Sequence, residues 1–402
     1  MSRIEEFDLS KFGDYLEEFP KSKIPSGESR KKGTFNFYVC SSRISKLDRY
    51  IMSKESILLS TGGEAAVHFA KGKYAYSTDV WSFKTKSGLM NSYAYRFLEY
   101  KINQINYLGF QGSGIKHLDK KFIKDYQFYI PPIHEQQKIS LVQDLIDDSI
   151  NKFCEKELKL ENLKKALINE FLTYGIDNKK GVIKSEIGII PKDWKIFSLL
   201  EISNRKKDPH SFAGGPFGSN LKKEHYTKTG IRIVQLQNIG DGEFLNNHKI
   251  FTTKQKAEQL RSCNIFPKDI IISKMGDPVA RCCIMPDLES RYLMSSDGIR
   301  LSINRDKFDN DFILHSINHH RFRRHAEKLS IGSTRKRISL KELRYFKIAC
   351  PTINEQVNFS KYINQINFNI KKIKKKIDKL KKIKRSILQN LFNDYSKIYK
   401  KN

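Results

Sequence analysis

The sequence predicts two α/β (α+β) modules in tandem, each leading into a long α-helix, with the two helices paired as an antiparallel coiled coil. Three observations predict this: an internal repeat, an apolar seam that occurs twice, and opposite net charge on the two seam-bearing segments. Gly112-Ser-Gly-Ile-Lys-His-Leu aligns with Gly332-Ser-Thr-Arg-Lys-Arg-Ile at an offset of 220, which holds without a gap for about sixty residues. It carries Lys116 and Lys121 onto Lys336 and Lys341, and Pro131, Ile133, Glu135 and Gln136 onto Pro351, Ile353, Glu355 and Gln356. Upstream, at slightly smaller offsets, Ile57-Leu-Leu-Ser-Thr-Gly-Gly-Glu pairs with Ile270-Ile-Ile-Ser-Lys-Met-Gly-Asp, and Ser77-Thr-Asp79 with Ser295-Ser-Asp297.

Taken in order, residues 1–133 form the first module, 134–175 its helix, 176–353 the second module and 354–402 the second helix. Within the modules, Ser56–Ser60, Ala75–Phe83, Ile231–Gln235, Ile270–Ser273 and Ile299–Ile303 are β-rich runs bounded by glycines and polar turns. The second helix carries Phe359, Ile363, Ile366, Ile370, Ile373, Ile377, Leu380, Ile383, Ile387 and Leu391 at steps of mostly four and three, a seam of roughly 50 Å. The first repeats it with Ile139, Gln143, Ile146, Ile150, Phe153, Glu157, Leu160, Leu163, Leu167 and Phe171. From His134 to Leu172 there are six basic and eight acidic residues, whereas Asn354 to Asn402 holds fourteen basic and three acidic. Matching seams with flanks of opposite sign favour pairing of the two helices. With a module between them, an antiparallel coiled coil is the arrangement that would place the two modules at opposite ends of a rod. The plainer alternative is that Lys371–Arg385 is a solvated face or a further binding surface.

Composition narrows the partners. Lys and Arg number 74 against 44 Asp and Glu, a net charge of +30, and the 39% hydrophobic content supports folded cores. A field of that sign draws polyanions, of which nucleic acid is the commonest for a globular chain. No apolar run is long enough to cross a bilayer and no signal peptide opens the sequence, so a cytoplasmic location is expected. The cysteines at 40, 154, 263, 282, 283 and 350 form no C-x-x-C pair and are expected to be reduced and buried.

Catalytic motifs are missing. There is no phosphate loop. His134-Glu-Gln-Gln-Lys138 has Lys where H-E-x-x-H needs its second ligand, so it reads as a helix start with an acidic first turn. Pro131-Pro132 lacks the residues of an amino-methyltransferase signature, and Asp287 and Glu289 lack the basic member of a nuclease grouping.

The run Gly188-Ile-Ile-Pro-Lys-Asp-Trp194 through Glu201 resembles the opening of a target-recognition domain in the specificity subunits of type I restriction-modification systems. Gly215-Pro-Phe-Gly-Ser-Asn220, Ile233 to Gly240, Asp269 to Gly276, Gly332 to Ser339 and Pro351 to Gln356 resemble successive motifs of that family in order. The first module departs by lacking the Pro-x-x-Trp opening. The resemblance implies a DNA-recognition chain with no catalytic residue, metal or cofactor of its own. Each module would read one half of a bipartite site in double-stranded DNA, and the helices would set the spacing and dock two modification (methyltransferase) subunits. S-adenosylmethionine would sit on those subunits, with ATP and Mg2+ used by restriction subunits. A related system with a fused methyltransferase-nuclease partner is the alternative, and a stand-alone DNA enzyme or a membrane-binding scaffold are the readings from other classes.

A sequence reader needs cations for phosphates and amides or guanidinium groups for base edges. The candidates are Lys116 and His117 in the first module, and Ser219, Asn220, Gln235, Gln237, Asn238, Lys274, Arg281, Arg335, Lys336 and Arg337 in the second. Strand alternation would send Gln235 and Gln237 to one face and Asn238 to the other, so that only one set reads bases. A solvated basic loop is the plainer reading of Arg335–Arg337, a simple strand-end turn that of Gly276. Trp81 and Trp194 are expected in the core.

Overall fold

The computed structural model describes residues 8–176, 181–332 and 336–398. It divides into two compact units, Met1–Lys156 with Ile373–Asn402, and Glu157–Lys372. Each unit therefore holds one module and a stretch of both long helices, Ile133–Tyr174 and Ile353–Ile398.

Both modules are built on the same two sheets. In the first unit, Leu16–Glu18, Val80–Thr85, Ser56–Ser60 and Val67–Ala70 lie side by side in that order, all antiparallel. The second unit repeats the order with Phe212–Gly214, Gly298–Leu301, Ile270–Ser273 and Cys282–Ile284. Ile57 faces Phe83 as Ile270 faces Leu301, so the sequence alignment is also the structural register. The other sheet sets Phe35–Tyr38 parallel to Tyr74–Tyr76 and antiparallel to Ser45–Leu47. Its counterpart sets Ile231–Val234 parallel to Tyr292–Met294 and antiparallel to Ile250–Thr252, with two further edge strands. The strand expected over Ala75–Phe83 is broken at Ser77, whose N–H donates to the Tyr38 carbonyl at 2.9 Å; Ser295 makes the same bond to Val234 at 2.9 Å. This turn passes the chain from one sheet to the other. Central strands such as Ser56–Ser60 and Ile270–Ser273 are buried along their whole length, which is why they read as apolar runs without alternation.

The modules open differently. A strand pairs with the one leading into the helix in both, Asp8–Lys11 with Gln127–Ile130 and Lys195–Ser198 with Lys347–Cys350. Among the described residues only the second is preceded by a hairpin, Val182–Ser185 with Gly188–Pro191, and Trp194 after it is buried 5.2 Å from Phe171. Trp81 is also core, at 3% exposure. Of the cysteines, all free, four are buried, but Cys154 is exposed on its helix and Cys40 is only half-buried.

The well-matched Pro-to-Gln segment is a helix anchor. Gln136 donates Nε2 to the carbonyls of Pro131 (2.8 Å) and Gly88 (2.9 Å) and accepts from Met90 N–H at 2.8 Å. Gln356 donates to Pro351 (3.0 Å) and Lys307 (3.4 Å) and accepts from Asp309 N–H at 3.0 Å. Both side chains are buried, so each satisfies backbone groups that water cannot reach.

Within each unit the helices run antiparallel. In the second, Lys164 donates to Asn367 at 3.2 Å and Phe171 stacks on Phe359 at 4.2 Å. In the first, Lys384 pairs with Asp147 at 2.8 Å and Lys376 lies over Phe153. Lys164 and Lys384, and Asp147 and Asn367, are related by the repeat offset. The seam differs from expectation where it drifts. Leu163, Leu167 and Ile383 are exposed, at 47%, 37% and 39%, and Lys164, Ile168 and Lys384 turn inward in their place. A helix of 3.6 residues per turn cannot keep a strict seven-residue seam without supercoiling, so the buried line slips by one position.

The module-to-helix junctions differ in chemistry. In the first unit Arg96, buried, pairs with Glu99, Asp144 and Asp147 at 2.6–2.9 Å, and Lys384 joins through Glu99 and Asp147. In the second, the corresponding positions hold His315, Asn364 and Asn367; Asn364 donates to Asp311 at 2.9 Å. Burial, then the Lys164 ammonium, pushes His315 down to about 4, so it is neutral.

Candidate nucleic-acid interface

In the second module four loops meet at one end of the sheets. The strand Ile270–Ser273 ends in a turn whose Lys274 N–H donates to the Asp297 carbonyl at 2.7 Å and whose Lys274 carbonyl accepts from Ile338 N–H at 2.9 Å. Gly276 N–H donates to the Lys336 carbonyl at 3.3 Å, and Met275 bridges Arg337. Gly276 has φ +116, and a Cβ there would stand 2.6 Å from Arg281 Nη1, so the turn itself requires glycine. Lys274, Lys336 and Arg337 are thus brought together. Arg337 donates Nη2 to Asp297 Oδ1 at 2.8 Å. Lys274 is half-buried, and burial together with the Arg337 guanidinium holds its ammonium below the usual lysine range. Arg335 lies outside the described residues.

The remaining loops complete a groove of about 480 Å³ lined by Phe217, Gln235, Gln237, Gly276, Ser295 and Asp297 among others. Ser219 and Asn220 sit exposed on the short 3-10 turn Gly218–Asn220 beside it. Gly215 fixes that loop. Its N–H donates to the Gly298 carbonyl at 3.0 Å, and a Cβ would fall 1.8 Å from the Ser295 carbonyl oxygen, so only glycine permits the approach.

The amides do not divide as strand alternation would have it, because the strand ends at Val234 and Leu236–Asn238 is a 3-10 turn. Asn238 is fully buried: its Oδ1 accepts from Gln235 N–H at 3.0 Å, and its Nδ2 donates to the Leu245 and His248 carbonyls, both at 2.9 Å. It clamps the turn to the Leu245–His248 loop and presents no edge to a ligand. Gln235 is half-buried, donating to Tyr226 Oη at 3.4 Å and held at Oε1 by His248 Nε2 at 3.0 Å. Gln237 is exposed and leans on it, donating Nε2 to Gln235 Oε1 at 3.3 Å. Arg281 is likewise a clamp, with Nε donating to the Ile239 carbonyl at 2.7 Å and Nη2 to that of Leu236 at 3.2 Å. A guanidinium so engaged supports the turn from behind.

The first module repeats the backbone of this site. Thr61 N–H donates to the Asp79 carbonyl at 2.8 Å, Leu118 N–H to Thr61 at 3.0 Å and Gly63 N–H to Lys116 at 2.9 Å, while Gly62 bridges His117. Lys116 and His117 are exposed and occupy the places of Lys336 and Arg337. The side chains differ. Thr61 replaces Lys274, and the segment after Tyr38 runs Val39-Cys-Ser-Ser-Arg43 with no amide. After Leu16–Glu18 come Lys21 and Lys23, both exposed, with no projecting aromatic between them.

The type I restriction modification DNA specificity domain matches residues 4–162 and 191–382. The chain belongs to that family. The specificity subunit of the type I restriction enzyme MjaVIII from Methanocaldococcus jannaschii is 23% identical over 408 residues, spanning 96% of this chain and 92% of its own length. Two solved structures share the fold at 14% identity. The S subunit of a type I restriction-modification system from M. genitalium has a TM-score of 0.65, covering 98% of this chain and 97% of its own. A chain from a type I system characterised for complex assembly and conformational transition has a TM-score of 0.55, covering 96% and 97%. As a type I specificity subunit the chain is the DNA-recognition component of such a system and a non-catalytic one. Among the described residues, no helix is long and apolar enough to cross a membrane.

Phe217 and Asp297 line the site without having been singled out from sequence. An apolar residue beside a proline reads as core, and Asp297 stood out only through its match to Asp79. The repeat was the signal that led to both faces of the turn.

Proposed function

We propose that this specificity subunit reads a bipartite, asymmetric target in double-stranded DNA, one half-site with each module. The observation that carries this reading is that one backbone frame presents different side chains in the two modules: Gln237, Lys274 and Arg337 in one, and Ser41, Thr61 and His117 at the matching places in the other, beside a lysine common to both, Lys336 and Lys116. An amide and a hydroxyl at the same place suit different base edges, so two unlike half-sites follow. The net charge of +30 supplies the phosphate attraction that any duplex reader needs. The long helices set the distance between half-sites and dock two modification subunits. S-adenosylmethionine belongs to those subunits, and ATP and Mg2+ to the restriction subunits that complete the system in the cytoplasm.

Mapping methylated adenines in the host genome tests the proposal. A motif of two unlike half-sites separated by a fixed spacer is expected, lost when this gene is deleted. A contiguous palindrome would overturn it.

A further inference from the structure

We infer that the groove of the second module reads an A·T base pair, with Gln237 on the adenine edge and Phe217 on the thymine methyl. The inference rests on the duplex-reading proposal and names the base pair that this site takes.

Phe217 is 82% exposed, and its position is not a matter of a loose loop. Gly215 is pressed on the Ser295 carbonyl, and Pro216 beside it is buried, so the backbone holds the ring out over the groove. A phenyl ring held in water at a major-groove reading site gains by covering an apolar group on a base edge. The one methyl group in the major groove of an unmodified duplex is that of thymine.

Gln237 supplies the other half. Its lean on Gln235, itself held by His248 and Tyr226, orients the carboxamide, while among the described residues its Oε1 accepts no hydrogen bond and its second N–H remains to donate. One acceptor and one donor in a plane match adenine N6–H and N7. Arg337 and Asp297 are tied to each other at 2.8 Å, which engages the guanidinium that would otherwise be offered to guanine and one oxygen of the carboxylate. Gln237 and Phe217 line the same cavity of about 480 Å³.

The test measures binding of the full chain to duplexes carrying the methylome-defined target, with each thymine replaced in turn by uracil, which removes only the C5 methyl. One uracil is expected to weaken binding by roughly fourfold, the value of a single buried methyl group. The chain with Phe217→Ala is expected to bind the unmodified target weakly by a similar factor and to ignore that uracil. The chain with Gln237→Ala is expected to lose discrimination at the adenine paired with that thymine, by at least about fivefold. Both side chains are exposed, so the variants leave the fold intact. If the wild-type chain prefers its target to a scrambled duplex but is indifferent to every uracil, or if Phe217→Ala keeps the uracil effect, the inference is overturned while the reading proposal stands. If the chain binds all duplexes alike, both fail.

Discussion

The two modules share a frame down to individual backbone hydrogen bonds, yet they differ at most of the places where a side chain faces the reading groove or the junction with the long helices. Thr61–Asp79 and Lys274–Asp297 make the same bond, as do Ser77–Tyr38 and Ser295–Val234, across a chain whose reading loops share almost no residues. The junction with the helices is a network of ion pairs in the first unit, around Arg96, whereas in the second it sets amides beside a neutral His315. A duplicated fold can thus keep its backbone bonding while both its reader and its attachment are rewritten independently.

The junctions give the sharpest contrast. Arg96→Met leaves Glu99 and Asp147 facing Lys384 alone and takes the guanidinium away from Asp144. Breaking such a pair by removing one partner costs about 3–5 kcal/mol when both are buried, and about 2–3 kcal/mol is expected here because Asp144 remains half-exposed. His315→Met in the second unit is expected to change stability by less than about 1 kcal/mol, since it removes a neutral ring whose Nε2 has no partner. Thermal unfolding of both variants measures this, and equal losses would show that the junctions are not of different kinds.

Acid gives the next effect, and it falls on the second unit. His315 at about 4 and His319 lowered by burial are neutral in the fold but titrate near 6.5 when unfolded. The unfolded chain then binds more protons, so this contribution to stability is complete above pH 6.5 and is lost as the pH falls toward 4. The second unit is expected to melt progressively lower over that window, and His315→Met to flatten the dependence. An unchanged slope in the variant would remove His315 from the account.

The smallest effect concerns what the readers share. Lys116→Ala and Lys336→Ala are each expected to lower the slope of log affinity against log salt by roughly 0.9, one phosphate contact apiece, without changing the preferred sequence. A change of sequence preference in either would mean that the frame-equivalent lysines read bases, and that the modules differ even there.

Periodicity and repetition made the architecture legible: Ser56–Ser60 and Ile270–Ser273 appear as strands at the expected bounds, and both helices begin at the matched Pro-to-Gln segment. The slip that exposes Leu163 and Ile383 was not legible, because a lysine turned inward to meet a carboxylate or amide from another element has no local signature. The site was legible as a region and less so as residues. Asn238 and Arg281 carry the right chemistry for reading DNA and spend it on backbone carbonyls, a choice set by a turn formed with residues that are distant in sequence.

The division of the long helices between the units bears on the order in which the protein is completed during synthesis. The second unit is one continuous stretch, Glu157–Lys372, and has all its parts once that stretch has emerged from the ribosome. The first unit needs Leu391 and Phe392, which pack against Tyr93 and Phe97, and Lys384, which neutralises Asp147. The module translated first is therefore the module finished last, and until then its acidic junction and aromatic cleft are open to whatever helix arrives.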